Sequence, residues 1–161
     1  MKFSWEKALR QAAVNTASRA VAAKSSIPAL EGLLLQAGNG LTVSGYNMNT
    51  GIRTTLEAEV TEAGELVLSA RLFGEIIRRM PDDVITFATG KETEVRLTCG
   101  DAAYNIQALS AEDYPELPEV EDEYSIRLRQ DTLRSMIAQT SFAVSQDETR
   151  PIHPGSLFEI G

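Results

Sequence analysis

Leu66-Val67-Leu68-Ser69-Ala70-Arg71-Leu72-Phe73-Gly74-Glu75-Ile76-Ile77-Arg78-Arg79-Met80-Pro81 is the stretch on which the reading of this chain turns. Its opening residues are β-branched and aliphatic, so 65–69 predicts a strand. Ser69 is a helix N-cap residue, because its hydroxyl can accept from an amide of the first turn. Over 71–80, Leu72, Phe73, Ile76, Ile77 and Met80 recur at helical spacing and define one apolar face. Pro81 cannot continue the helix and stops it. Three strand candidates follow at 84–88, 94–99 and 103–109, with Thr89-Gly90-Lys91 and Gly100-Asp101 at the turns.

The same order precedes this stretch. Residues 2–5 predict a short strand, and 6–23, Ala-rich and without Gly or Pro, a helix. On that helix Leu9, Ala13, Val14, Ala17, Ala20 and Val21 share an arc, and Lys7, Gln11, Asn15, Ser18 and Arg19 lie opposite, while Arg10 falls among the apolar positions. Strands are expected at 30–36, 41–46 and 52–60. Asn39-Gly40 predicts a two-residue hairpin turn with positive φ, and Asn49-Thr50-Gly51 the next turn. The order begins a third time after an acidic segment: a strand at 124–129, a helix at 132–145 capped by Asp131, a polar loop and a strand at 156–160. Leu9, Leu72 and Leu133 mark a period of about 60 residues. The expected fold is therefore α+β, strand–helix–three-strand units with helices on one face of antiparallel sheets, two units whole and a third begun. The third would leave an apolar face uncovered, as expected of a chain shorter than the protein the pattern belongs to.

The chain has 161 residues, a formal charge of −8 and 43% hydrophobic residues, ordinary globular usage that excludes wholesale disorder. Its charge is segregated. Residues 110–123 hold seven acids and no base, whereas 6–24 carry four bases against one acid and 71–80 three against one. Such a distribution lets a local basic face attract phosphate on an acidic protein, although each cation could equally sit on a solvated helix face. The N-terminus has no signal-peptide pattern and no apolar run approaches a membrane span, so a cytoplasmic location is expected. One cysteine, Cys99, cannot form an internal disulfide and reads as a small buried hydrophobe. His153 is the only histidine and lies far from Cys99 in sequence, so no nucleophile–base pair is indicated. Neither C-x-x-C nor H-E-x-x-H spacing occurs, and Asp82-Asp83 reads as a turn. No metal, cofactor or catalytic residue is expected, and the chain is not expected to be an enzyme; a small acid-dependent hydrolase would need a cleft of carboxylates with shifted pKa.

Several segments in order resemble the sliding-clamp family, the beta subunit of bacterial DNA polymerase III. They are Met1-Lys2-Phe3, Ser26-Ile27-Pro28-Ala29-Leu30-Glu31-Gly32-Leu33-Leu34-Leu35, the stretch 68–81, Ala111-Glu112-Asp113-Tyr114-Pro115-Glu116-Leu117-Pro118 and Glu148-Thr149-Arg150-Pro151. The resemblance implies a first clamp domain at 1–112, an acidic linker at 113–123 and the incomplete start of a second domain at 124–161. It implies a homodimeric ring that encircles duplex DNA without reading sequence and tethers the polymerase without catalysis, with DNA polymerase III and the clamp loader as partners. By position, Lys24, Arg71, Arg78, Gln146 and Arg150 match DNA-contacting positions. Leu72, Ile76, Tyr104 and Ile106 match the first domain's side of the subunit interface, the last two on an expected edge strand. The family's Ile-Leu-x-Gly turn is replaced here by Ile152-His153-Pro154-Gly155. Since a third domain is absent from these residues, the chain alone is expected neither to close a head-to-tail ring nor to bind polymerase peptides well. The alternative is an acidic protein–protein interaction module that reuses the clamp domain without encircling DNA.

Overall fold

In a computed structural model, residues 1–6, 10–90, 93–119, 125–147, 149–150 and 152–159 are described. They fall into two compact units, Met1–Pro118 and Glu119–Gly161. The first contains β1 (Lys2–Glu6), α1 (Arg10–Ser18), β2 (Gly32–Ala37), β3 (Leu41–Tyr46), β4 (Gly51–Leu56), β5 (Glu59–Glu62), β6 (Gly64–Ser69), α2 (Ala70–Arg79), β7 (Val84–Thr89), β8 (Glu94–Cys99) and β9 (Ala102–Gln107). The strands form two antiparallel sheets, ordered β5-β1-β7-β8-β9 and β4-β3-β2-β6.

The sheet order explains why the repeat occurs as a pair. In each repeat the three strands after the helix form a meander. The strand before the helix pairs with the other repeat's meander: β1 lies between β7 and its own repeat's β5, and β6 lies beside β2. Neither repeat can satisfy its first strand's backbone groups alone, so the two fold as one body. One core joins both sheets and both helices, from Phe3 and Trp5 on β1 through Leu33, Leu35 and Val43 to Phe73, Ile77, Ile85, Phe87 and Leu97.

Several boundaries depart from the sequence reading. The expected helix at 6–23 is shorter: Glu6 belongs to β1 and α1 ends at Ser18. Beyond it Arg19, Ala20 and Val21 donate to carbonyls three residues back, a tightening that lets the chain turn toward Ala22, whose amide donates to Leu30 O at 3.1 Å. Residues 7–9 and the Arg10 side chain lie outside the described residues, and so does Lys91 of the β7–β8 turn. The single strand expected at 52–60 is two, β4 in one sheet and β5 in the other. The alternation of half-buried Ile52, Leu56, Ala58 and Val60 runs unbroken through the change of sheet, so the pattern carried no mark of it. The Asn39-Gly40 hairpin is a three-residue turn, since Ala37 pairs with Leu41, and neither residue has a positive φ. Gly40 serves close approach instead: a Cβ there would lie 2.8 Å from the Leu56 carbonyl oxygen. The next turn is closed by Asn47, whose Oδ1 accepts from the amides of Asn49 at 3.1 Å and Thr50 at 2.8 Å, with Met48 at φ 73°.

The segment expected as a linker from 113 begins inside the first unit. Tyr114 is 7% exposed and packs with Ala29, Leu30, Tyr46 and Val67, and Leu117 joins this second cluster. Leu109 N–H and O both bond to Val67, which ties the strap from β9 to β6. Burial pushes the Tyr114 phenol up to about 12, against an ordinary 10.0, with a backbone hydrogen bond from Tyr46 acting the other way. An unfolded phenol ionises first, so stability is full below pH 10 and falls as pH rises toward 12, by about 2–3 kcal/mol at most. Urea unfolding at pH 8 and pH 11.5 is expected to show that loss in the native chain and a clearly smaller one in Tyr114→Phe. Equal alkaline losses in both would place the proton elsewhere.

In the second unit α3 (Gln130–Thr140) is followed by a short 3₁₀ turn, Ser141–Ala143, where a helix was expected over 132–145. Asp131 is not its cap: Arg129 holds that position, and the Asp131 carboxylate is engaged by the Arg129 guanidinium at 2.7 and 3.1 Å, which holds its pKa below the usual carboxylate range. Residues 125–129 and 156–159, expected in strands, form none; Tyr124, Ile160 and Gly161 lie outside the described residues. The exchange in the first unit supplies the reason. A leading strand pairs with the other repeat's meander, and among the described residues no such meander accompanies the third repeat. No residue of α3 is buried, and Phe142, Ile152 and Leu157 are more than four-fifths exposed.

Candidate nucleic-acid interface

α2 is fixed by its own sequence. Ser69 Oγ accepts from Leu72 N–H at 3.5 Å, Ala70, Phe73, Ile76 and Ile77 turn into the core, and Met80 is extended ahead of Pro81. Burying that face sets the rest: Arg71, Glu75, Arg78 and Arg79 share the outward stripe at i, i+4, i+7 and i+8. Arg71, Arg78 and Arg79 are exposed, and the last two lie in the final turn, where cations complement the helix dipole. Arg71 Nη1 lies 3.8 Å from Glu75 Oε1.

α1 packs beside α2 and against β3 and β4. Its approach is close enough that a Cβ on Gly45 would sit 2.1 Å from the Ala17 carbonyl oxygen. Ala13, Val14 and Ala17 are buried; Asn15, Thr16 and Arg19 face solvent, and the described helix contains no acid. Lys24 follows on a loop pinned at both ends. Ala22 N–H donates to Leu30 O on one side, and Ser25 N–H donates to the Glu31 carboxylate at 3.1 Å on the other. Its exposed ammonium therefore stands on a fixed backbone. Arg19, Lys24, Arg71, Arg78 and Arg79 thus come from α2 and from the segment leaving α1. Exposed acids lie on the strands and the strap, at Glu59, Glu62, Glu65, Glu94, Glu112, Asp113 and Glu116, and also at Glu31 beside the Lys24 loop and at Asp82 and Asp83 after α2, while Lys2, Arg53 and Arg96 are exposed cations on strands.

Gln146 and Arg150 belong to the second unit and are both exposed. The turn between them is closed by Asp147, whose Oδ1 accepts from Thr149 N–H at 3.0 Å and Thr149 Oγ1 at 2.7 Å. These bonds hold the Asp147 carboxyl below its usual range. His153 closes the loop from the far side, its carbonyl accepting from Ser145 N–H. Glu148 and Pro151 lie outside the described residues.

The expected subunit-interface residues separate. β9 is an edge strand, as expected. Ile76, at 5% exposure, and Ile106, at 8%, are core residues and offer almost no surface, because each lies on the apolar side of its own element. Tyr104 is half-buried on the same side of β9 as Ile106, and Leu72 alone is exposed, at 41%. Sequence reading passed over Glu75 as a partner; its i+4 spacing from Arg71 was the available signal.

Among the described residues no group of three His, Cys, Asp or Glu could hold a metal ion, and Cys99 is buried with its thiol donating to Pro81 O at 3.5 Å. No described helix is long and apolar enough to cross a membrane. The class these features define is a duplicated helix-on-sheet domain with exposed cations on α2 and on the segment leaving α1.

The family model for the N-terminal domain of the DNA polymerase III beta subunit matches residues 1–118, and the chain belongs to that family. It is 34% identical over 156 residues to the beta sliding clamp of Halalkalibacterium halodurans, covering 91% of this chain and 41% of that protein. It is 31% identical to the Bacillus subtilis beta sliding clamp, covering 99% and 45%. Among solved structures, the Streptococcus pyogenes beta subunit superposes with a TM-score of 0.87 at 33% identity, over 94% of this chain and 42% of that one. The Bacillus subtilis sliding clamp gives 0.89 at 30%, again over 94% and 42%. The chain thus spans about two fifths of the length of the relatives it matches.

Proposed function

We propose that this chain is the DNA-embracing portion of a replicative processivity factor, a non-catalytic sliding clamp that holds a DNA polymerase on duplex DNA in the cytoplasm. The observation that carries the reading is the gathering of exposed cations on α2 and on the segment leaving α1, Arg71, Arg78 and Arg79 with Arg19 and Lys24, against a single acid on α2, Glu75. A tether that slides must attract phosphates without reading bases, and scattered exposed cations suit that task better than a clustered reader. Lys24, Arg71 and Arg78 contact the phosphates, with Gln146 and Arg150 contributing from the second unit. Clamp loader and polymerase are the partners of the whole assembly, a head-to-tail homodimer. For the subunit contact we propose Leu72 and Tyr104 with the free backbone edge of β9, since edge strands extend by pairing.

The test is a titration of the 161-residue chain with short duplexes of unrelated sequence at several salt concentrations. Affinity is expected to be weak, equal across sequences, and to fall with salt with a log–log slope of about −2 to −3 if three cations each meet one phosphate. Replacing Lys24, Arg71 and Arg78 together by Gln is expected to flatten that slope nearly to zero. No binding even at low salt would turn the reading toward an acidic interaction module.

A further inference from the structure

A carboxylate interrupts the basic stripe of α2. Glu75 stands between Arg71, one turn before it, and Arg78 and Arg79, one turn after, with its oxygen 3.8 Å from the Arg71 guanidinium. The pair is open to solvent, the Arg71 side chain 85% exposed and that of Glu75 42%. Its order, base before acid at i,i+4, is the less favourable one for a helix. Such a pair adds little to stability, so its effect lies in what it does to the charge around it. Ser69, not Glu75, caps the helix, and the apolar face alone docks it.

We propose that Glu75 is a built-in brake on phosphate attraction, a positioning residue that holds the Arg71 guanidinium and lowers the positive potential along α2. The inference rests on the proposed DNA-binding role of that helix. A phosphate approaching Arg71 must compete with the Glu75 carboxylate for the same guanidinium and is itself repelled by it. Two unit charges about 4 Å apart in water interact by about 1 kcal/mol, about a fivefold effect on an equilibrium constant. That is large enough to loosen one contact and too small to abolish attraction by the remaining cations. A ring that had to slide would gain from each contact being short-lived.

The experiment compares duplex binding by the native chain, Glu75→Gln, Arg71→Gln and the double variant, each across a salt series. Glu75→Gln is expected to tighten binding about fivefold at low salt and to steepen the log–log salt slope by up to about 0.9, one further phosphate contact. In the Arg71→Gln background the same change should have a clearly smaller effect, because the guanidinium it restrains is gone. A merely structural role for Glu75 would move the unfolding midpoint and leave the salt slope alone. If the native chain binds and Glu75→Gln neither tightens binding nor steepens the slope, the brake is refuted and the DNA-binding reading stands. If neither the native chain nor Glu75→Gln binds at any salt, both fall together.

Discussion

Replacing Gly45 with alanine is expected to cost about 3 kcal/mol of stability, and with valine more, because the added carbon has nowhere to go. Its ideal position lies 2.1 Å from the Ala17 carbonyl oxygen, 2.9 Å from the carbon of that carbonyl and 3.3 Å from Val21 Cγ2. The nearest atom is backbone, so no rotamer change relieves the clash. That oxygen also accepts the Ala20 amide at 3.0 Å, so moving it loosens the turn that ends α1. The helix must lift off β3, and with it go the buried contacts of Val14 and Ala17. Gly74 provides the contrast in the same domain. It lies inside α2, and a Cβ added there would have nothing within 4 Å. Gly74→Ala should therefore stabilise by about 0.5–1 kcal/mol through helix propensity alone. Urea midpoints of the two alanine variants should move in opposite directions; a Gly45→Ala chain as stable as the native one would contradict the close approach of α1.

These two glycines also mark what a sequence can convey about such a fold. α2 was legible from cap to stop, since Ser69, the apolar spacing and Pro81 are local signals that the structure obeys. The two-repeat order was legible because each repeat carries the same succession of strand, helix and strands. The exchange of leading strands between repeats was not, because pairing between β1 and β7 or β6 and β2 leaves no local trace. That exchange governs whether the strands expected at 124–129 and 156–160 can form. The change of sheet after Leu56 was hidden for a related reason: both sheets bury the same face of the strand, so the alternation continues through the break. Tyr114 was lost in a run of acids that reads as linker, although it is the residue that anchors the strap. At the candidate interface the cations Lys24, Arg71 and Arg78 are exposed as expected. Ile76 and Ile106 are not, because spacing identifies an apolar face without saying whether core or partner covers it.

Phe87→Ala is expected to be the most damaging truncation in the first unit, costing about 3–5 kcal/mol for the lost side chain and its cavity. Phe87 is fully buried in β7 directly across from Phe3 of β1, their rings stacked with centroids 4.5 Å apart, and Phe3 stacks in turn on Trp5 at 4.9 Å. The stack therefore sits on the seam where one repeat lends its leading strand to the other. Removing the β7 end of it weakens an exchange that neither repeat can replace from within. Against a typical domain stability of about 5–15 kcal/mol, the loss brings the unit near its unfolding threshold. Trp5 is the only tryptophan in the chain, so its emission reports this seam directly and should shift to the red at a much lower urea concentration in Phe87→Ala. Phe87 presents no surface to a ligand, and the same core holds Phe73 and Ile77 of α2. Duplex affinity per folded molecule should accordingly match that of the native chain wherever the variant remains folded. A Phe87→Ala protein that kept a native Trp5 spectrum yet lost duplex binding would show that the exposed cations on α2 and on the segment leaving α1 are not what DNA meets.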